Sequence, residues 1–248
     1  MLEIAMKLPP GALIGGEDPL LSQMVLRSGG ARFIAREADI VRTGETITGW
    51  RESRMAVEAG TAGPNSGNSR FEAGPPGALI CQAGANCGFT LPGFAPEVEA
   101  FTVAMIYRSD GEAKTLASVF AGQANNMIFL TESEGQLLAK DKLSTVEVRL
   151  PVPTGRGVKL AMLGFDGRSL RLSLGDATVE AGGKIPGLAH PADFFIGCRS
   201  NRGGLVKTLG QSQLHEVLFW PDRCLPGSTD AEDQAALAAL RRYLRWTY

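Results

Sequence analysis

The sequence has little histidine and little cysteine. Its 248 residues include two histidines and four cysteines, which are Cys81, Cys87, Cys198 and Cys224. The cysteines form no C-x-x-C motif, and no histidine stands near them at the spacing of zinc ligands. We therefore expect no bound metal, no cofactor and reduced thiols, with a bridge between Cys81 and Cys87 left open.

The chain also lacks an excess of charge and a long apolar run. It has 25 basic and 26 acidic residues, a net charge of -1. This balance argues against nucleic acid as a partner, because phosphate-backbone binding needs a cationic face. No stretch approaches the roughly 18 uninterrupted apolar residues of a membrane-spanning helix. Glu3 and Lys7 interrupt the apolar start. We therefore expect neither membrane insertion nor a signal peptide.

Motifs for nucleophilic and metal-assisted catalysis are missing from the sequence. There is no G-x-S-x-G, no Walker A pattern and no H-E-x-x-H, although His215-Glu216 begins like the last. His190 precedes Pro191 in a predicted loop, and His215 lies in a predicted strand, where a histidine is more often a packed residue than a base. These two histidines therefore offer few possibilities for the base of a catalytic triad.

Glycoside hydrolysis needs two carboxylates that flank the scissile bond. Glu216 lies on the last predicted strand without a second carboxylate at alternate positions, which favours a structural role for it. Aspartates near turns, such as Asp110 and Asp166, commonly bond to their own backbone, so they do not indicate a calcium site. We expect a protein that is not an enzyme.

After Pro96 the sequence changes to short runs rich in β-branched, aromatic and aliphatic residues. Turn residues divide these runs at a spacing of roughly 8 to 12 residues, which favours an antiparallel all-β fold. The clearest hairpin turn is Phe165-Asp166-Gly167-Arg168. The runs are AFTVAMIY, TLASVFAG, NMIFLTE, GQLLAK, STVEVRL, GVKLAMLGF, RSLRLSLG, DFFIGC and QLHEVLFW.

The two ends of the chain carry helix signals, and the region between residues 36 and 96 is glycine-rich and weakly patterned, as in a linker. Asp18-Pro19 begins a short amphipathic segment that ends before Gly29-Gly30. Thr229-Asp230-Ala231-Glu232 fits a capping box ahead of an amphipathic helix. We predict a packed position for each tryptophan, Trp246 included.

Several segments of the sequence resemble concanavalin A-like, laminin-G-like jelly-roll domains. Leu214–Leu225 and the capped helix through Tyr248 are similar to the closing strand and helix of that family. Matching segments upstream are Phe101–Tyr107, Leu163–Leu174, Phe195–Gly197 and the tryptophan-bearing Ile47–Arg51. The resemblance covers about residues 37–248. It implies an all-β, antiparallel jelly-roll β-sandwich with a C-terminal α-helix, preceded by an N-terminal extension, residues 1–36, with one short helix.

Domains of this family are commonly carbohydrate-binding modules, or structural and adhesive parts of larger assemblies that include phage particles. The resemblance therefore implies recognition before catalysis. Sugar recognition needs an apolar ring face beside planar polar groups, and two loops offer such groups, each expected at a rim of the sandwich. The predicted ligand-binding residues are Asn125, Asn126, Arg199, Asn201 and Arg202.

These observations lead to one hypothesis and two alternatives. The hypothesis is a non-catalytic carbohydrate-recognition or attachment module, made in the cytoplasm as a head, tail-spike or fibre component of a phage or phage-like particle. It would bind host-surface polysaccharide and join other particle proteins through residues 1–36, and a homo-oligomer is left open. The alternatives are a purely structural particle protein without a ligand and a glycan-active hydrolase of the same fold with an unusual carboxylate pair.

Overall fold

Two α-helices, two short 3-10 helices (Glu37–Asp39 and Val206–Thr208) and seventeen strands make up the regular structure of the described residues. The computed structural model describes residues 17–52, 57–63, 68–95, 98–121, 126–155, 157–183, 185, 188, 191–201 and 206–248. The α-helices are α1 (Glu17–Arg27) and α2 (Ala231–Thr247). The strands are β1 (Ala31–Ile34), β2 (Ile40–Thr43), β3 (Thr46–Arg51), β4 (Glu58–Thr61), β5 (Arg70–Glu72), β6 (Ala78–Cys81), β7 (Phe89–Ala95), β8 (Phe101–Arg108), β9 (Lys114–Phe120), β10 (Met127–Ser133), β11 (Gln136–Asp141), β12 (Glu147–Pro151), β13 (Lys159–Phe165), β14 (Ser169–Leu174), β15 (Ala177–Gly182), β16 (Ala192–Ile196) and β17 (Ser212–Trp220).

The strands form two antiparallel sheets that pack face to face. Sheet A has eight strands in the order β15-β14-β13-β8-β17-β6-β5, and β1 pairs with β17 beside this path. Sheet B has nine strands in the order β12-β11-β10-β9-β16-β7-β4-β3-β2. The predicted all-β antiparallel sandwich with a C-terminal helix is confirmed, and the concanavalin A-like jelly-roll assignment stays a prediction.

Every run predicted as a strand after Pro96 is a strand. The predicted hairpin joins β13 to β14, where the Asp166 carboxylate accepts hydrogen bonds from the backbone nitrogens of Arg168 and Ser169. Gly167 has a φ of +84° in this turn, a value that favours glycine. The weakly patterned region between residues 36 and 96 is not a linker, because it supplies β2 to β7. These strands are short, and their glycines obscure the alternation of apolar and polar residues.

The main core lies between the sheets and is rich in aromatic rings. Phe194 of sheet B stacks on Phe219 of sheet A, with ring centroids 4.5 Å apart. Trp50 is fully buried, lies 5.5 Å from Phe33 and donates a hydrogen bond from Nε1 to the Ile34 carbonyl oxygen at 2.9 Å. The predicted packed position of Trp50 is confirmed, and its hydrogen bond ties sheet B to β1.

Both α-helices cover the outer face of sheet A. Leu21 of α1 and Leu240 of α2 pack in one cluster with Leu218 and Trp220 of β17. The N-cap of α2 is Asp230, whose side chain accepts hydrogen bonds from the backbone nitrogens of Glu232 and Asp233. No helix in the described residues is long and apolar enough to cross a membrane.

The position of Trp246 differs from its prediction. Trp220 is buried as expected, but Trp246 is 73% exposed. Thr247 follows the buried Tyr243 by four residues and so lies on the same side of α2, yet it is exposed as well. Tyr248 still contacts Glu216, so the end of α2 stays on the fold while the Trp246 side chain faces solvent, and the prediction of a packed Trp246 is wrong.

The described part of the predicted N-terminal extension is integrated into the fold. The predicted short helix is present as α1, and its Leu21 and Val25 are buried. Residues 31–34 form β1, which pairs with β17 from Ala31 opposite Phe219 to Ile34 opposite Glu216. The chain therefore enters sheet A before residue 37, and α1 and β1 do not project as a free arm.

Deletion of residues 1–36 is expected to abolish cooperative folding. It removes the hydrogen bonds of β1 and the buried Phe33, and truncation of one buried phenylalanine alone costs about 3 to 5 kcal/mol. Such losses match the stability of a typical domain, about 5 to 15 kcal/mol. Thermal unfolding followed by circular dichroism measures the effect, with a chain that begins at residue 17 as control. A cooperative transition at the full-length temperature in the larger deletion would contradict this account.

Candidate functional site

The outer face of sheet B carries a cluster of polar and aromatic side chains. Both α-helices pack on sheet A, so neither of them covers this face. Ile128 and Leu130 of β10 point into the main core, and Phe129 between them therefore points outward. Phe129 is the centre of the cluster.

Arg199 follows β16 and turns back over this face. Its backbone oxygen accepts a hydrogen bond from Ser118 Oγ at 2.7 Å, and its Nε donates to Thr115 Oγ1 at 3.1 Å. The guanidinium carbon lies 4.2 Å from the centre of the Phe129 ring. Burial lowers the pKa of the Arg199 guanidinium, but arginine stays charged at neutral pH. Arg199 is therefore a fixed cation on the outer face of sheet B.

The other predicted ligand-binding residues are spread over two loops. Asn201 is exposed, and its Oδ1 accepts a hydrogen bond from the backbone nitrogen of Gly63 at 2.8 Å. Asn126 is half-buried, and its backbone oxygen accepts from the Ala121 nitrogen at 2.9 Å, which closes the turn between β9 and β10. Predicted residues Asn125 and Arg202 lie outside the described residues, as does His190.

The two loops leave sheet B at different points along β9. Asn126 directly precedes Met127, which pairs with Phe120 at the end of β9, whereas β16 ends at Ile196 opposite Ala117. The loop of Arg199 therefore begins opposite the middle of β9, and the arginine side chain lies over Phe129, three residues beyond Asn126 along β10. The structure thus brings Arg199, but not Asn201, over the strand that follows Asn126.

Charged residues of β11 and β12 border the cluster. Lys140 Nζ lies 5.8 Å from the centre of the Phe129 ring and 3.5 Å from Glu147 Oε2. Arg149 also pairs with Glu147, and its side chain is 61% exposed. Phe129 and Lys140 were not among the predicted site residues, although the alternation of residues in NMIFLTE and GQLLAK places both on the outward face of their strands.

Glu216 lies on the opposite side of the molecule and is engaged in a buried network. Its Oε2 accepts hydrogen bonds from Arg32 Nε at 3.1 Å and Nη2 at 2.9 Å. Its Oε1 accepts from the hydroxyls of Tyr243 and Tyr248. Arg32 also donates from Nη1 to Ser22 Oγ at 2.9 Å. The carboxylate therefore joins α1, β1, β17 and α2, which is the structural role that its sequence context favours.

His215 borders a cavity of about 370 Å³ beside this network. The ring is 2% exposed, as expected for a packed residue. Its Nδ1 lies 2.8 Å from the Gly77 carbonyl oxygen, so Nδ1 carries the proton, and Nε2 is buried without a hydrogen-bond partner. Burial is the main reason that the pKa of His215 is lowered, with a smaller contribution from the charge of Arg108.

A second buried ion pair crosses between the sheets. Glu132 of β10 is fully buried, and Lys159 Nζ of β13 lies 3.2 Å from its Oε2. The hydroxyls of Tyr107 and Ser109 donate hydrogen bonds to the same carboxylate. Burial, followed by the charge of Glu132, raises the pKa of Tyr107 well above its ordinary value. The network therefore links sheet A to sheet B at one end of the sandwich.

The four cysteines are buried free thiols, so Cys81 and Cys87 are not joined in this structure. Burial raises the pKa of Cys81 to about 12, and the nearby Cys87 adds to this rise. A thiol with a raised pKa is a poor nucleophile at neutral pH. Within the described residues there is no group of three or more histidine, cysteine, aspartate or glutamate side chains that could hold a metal ion.

Comparisons with known proteins match the fold and not the sequence. No protein-family model matches the chain, and no curated protein matches it. Domain 4 of AbnA, a GH43 extracellular arabinanase from Geobacillus stearothermophilus, was solved in complex with arabinotriose. It matches with a TM-score of 0.56 and 14% identity over 83% of this chain and 96% of that domain.

Two larger proteins show the same likeness over a smaller share of their length. The botulinum neurotoxin serotype D/C binding domain matches with a TM-score of 0.55 and 9% identity, over 89% of this chain and 53% of that one. A Trypanosoma rangeli sialidase matches with a TM-score of 0.53 and 13% identity, over 86% of this chain and 33% of that one. This chain thus spans about half and one third of these two proteins. At such low identity the likeness establishes the β-sandwich fold alone.

His215 is expected to make the protein less stable below pH 6.5. Its lowered folded-state pKa means that the unfolded chain binds more protons between that value and the ordinary pKa of about 6.5. The contribution is complete above pH 6.5 and is lost as the pH falls through this window. Urea unfolding at pH 7.5 and pH 5.0 measures it, and His215→Phe should lose less stability between the two values than the wild type. An equal loss in both proteins would contradict the prediction.

Proposed function

We propose that the chain is a non-catalytic carbohydrate-recognition module whose ligand lies on the outer face of sheet B. The observation that carries this proposal is the fixed position of Arg199, stacked on Phe129 and bonded to Thr115. A planar guanidinium can make paired hydrogen bonds to neighbouring oxygen atoms of a ligand. Because the side chain is already held in place, binding costs little of its conformational entropy.

The comparison with the arabinanase domain supports a sugar as the ligand. That domain is almost fully covered by this chain, and it was solved with arabinotriose bound. A β-sandwich of this size therefore suffices for sugar binding in that protein. The likeness supports the class of ligand in our proposal, whereas the position of the site comes from Arg199 and its neighbours.

The contacts of two buried carboxylates, Glu132 and Glu216, favour recognition over hydrolysis at these two residues. Glycoside hydrolysis needs one carboxyl group that donates a proton and a second that acts as nucleophile or base. Glu132 is held by Lys159 and two hydroxyls, and Glu216 by Arg32 and two hydroxyls. Both carboxylates are thus committed to contacts inside the protein.

We propose a phage or phage-like particle that attaches to host-surface polysaccharide as the setting of this module. Its support is the resemblance of the closing strand and helix to modules that such particles carry. Because α1 and β1 pack on sheet A, docking to other particle proteins would use other surfaces. Mass spectrometry of purified particles from a strain that encodes the chain tests this setting, and its absence from them would reject it.

The glycan proposal predicts saturable binding that depends on Arg199. A glycan array and bacterial surface polysaccharides are screened with the wild type, and the best ligand is then titrated against Arg199→Ala. We expect affinity to fall at least about tenfold, which corresponds to 1.4 kcal/mol, because the paired hydrogen bonds of the guanidinium are lost.

Arg149→Ala is the matched control for this titration. Arg149 is an exposed cation on the same sheet that pairs with Glu147, so its removal should leave affinity within a factor of about two. Thermal unfolding of each variant confirms that it is folded. No glycan binding by the wild type would reject the function and favour a purely structural protein. Equal binding by Arg199→Ala would reject the site.

A further inference from the structure

Two cations share one aromatic ring on the outer face of sheet B. The Arg199 guanidinium lies 4.2 Å from the centre of the Phe129 ring, and Lys140 Nζ lies 5.8 Å from the same centre. The face of an aromatic ring attracts a cation, but each such contact contributes only about 0.5 to 2 kcal/mol. Two neighbouring positive charges also repel each other, so the cluster favours an additional negative charge.

The carboxylates around the cluster are engaged elsewhere. Glu147 pairs with Lys140 and with Arg149. Asp193 of the adjacent β16 accepts a hydrogen bond from the backbone nitrogen of Gly93 at 2.7 Å. Across the part of the chain that the structure describes, no carboxylate forms an ion pair with Arg199, in contrast to the buried cations Arg32 and Lys159.

The hydrogen bonds of Arg199 define which edge faces a ligand. Thr115 occupies Nε, and the stack on Phe129 covers one face of the guanidinium. The edge formed by Nη1 and Nη2 is the one that Thr115 does not use. This edge matches the two oxygens of a carboxylate in a planar, bidentate arrangement.

We propose that Arg199 binds the carboxylate of an acidic sugar, such as a uronic or sialic acid. This inference rests on the proposed carbohydrate function and adds the class of sugar. A neutral sugar would leave the charge of Arg199 without a counter-ion. The single arginine and the net charge of -1 suit one carboxylate and not a long polyanion.

The test compares acidic glycans with the same glycans after reduction of the carboxyl group to an alcohol. The probes are oligogalacturonates, sialic acid-terminated oligosaccharides and the bacterial polysaccharides of the array, each titrated before and after reduction. We expect the best ligand to be acidic and to lose at least tenfold in affinity on reduction. Arg199→Gln should abolish this discrimination. Arg199→Lys should retain part of it, because lysine keeps the charge but not the planar pair of donors.

The outcomes separate this inference from the function on which it rests. Equal binding of the reduced and acidic forms, or a preference for sulfated over carboxylated glycans, would overturn the inference and leave carbohydrate recognition standing. Binding of no glycan at all would overturn both. Arg149→Gln controls for a general loss of positive charge on this face. It should prefer the acidic glycan over its reduced form as strongly as the wild type does. An Arg199→Gln variant that still prefers the acidic glycan over its reduced form as the wild type does would also overturn the inference.

Discussion

The buried ion pair between Arg32 and Glu216 determines how the two ends of the chain lie on the sandwich. It joins β1 to β17, and through Ser22, Tyr243 and Tyr248 it also holds α1 and α2. Loss of one partner of such a pair leaves a buried charge and typically costs about 3 to 5 kcal/mol. Because both α-helices are held on sheet A, neither of them covers the outer face of sheet B.

Arg199 differs from the buried charges of the molecule in how it is held. In the network of Glu216, and in that of Glu132 with Lys159, each buried charge meets an opposite charge and further hydrogen-bond donors. Such networks fasten elements together. On the outer face of sheet B, Arg199 is held by a hydroxyl and an aromatic ring instead. This contrast is the basis of our proposal that Arg199 finds its counter-ion in a ligand.

The sequence predicted the part of the fold whose pattern is local. From β8 onward most strands show clear runs with turn residues between them, and the Asp166-Gly167 turn carries its own hydrogen bonds. The pairing of β1 with β17 was not predicted, because β1 has only four residues and its partner lies more than 180 residues away in the sequence. The charged Arg32 also gives β1 the appearance of a polar segment in the sequence. The burial of Arg32 is explained only by its ion pair with Glu216, which lies far away in the sequence.

The candidate site was predicted in part for the same reason. Loop composition indicated Arg199 and Asn201, but not that Arg199 would fold back over β10 while Asn201 bonds to Gly63. In the sequence, Phe129 is only one residue of an apolar run, and nothing local marks it as a site residue. Its role depends on which face of β10 meets the core, and on a loop that arrives from a strand about 70 residues later in the sequence. Contacts of this kind follow from the sheet order and not from local pattern.

The central claim is that the ligand binds on the outer face of sheet B and not beside the helices. The most direct test is an NMR titration of the isotope-labelled protein with the best ligand of the glycan screen. The account predicts shifts concentrated at the Arg199 side-chain Nε–H, Phe129, Thr115 and Ser118, with little change at His215 and Tyr248. Shifts confined to His215, Tyr248 and the end of α2 would place the ligand in the cavity on the sheet A side and contradict the account.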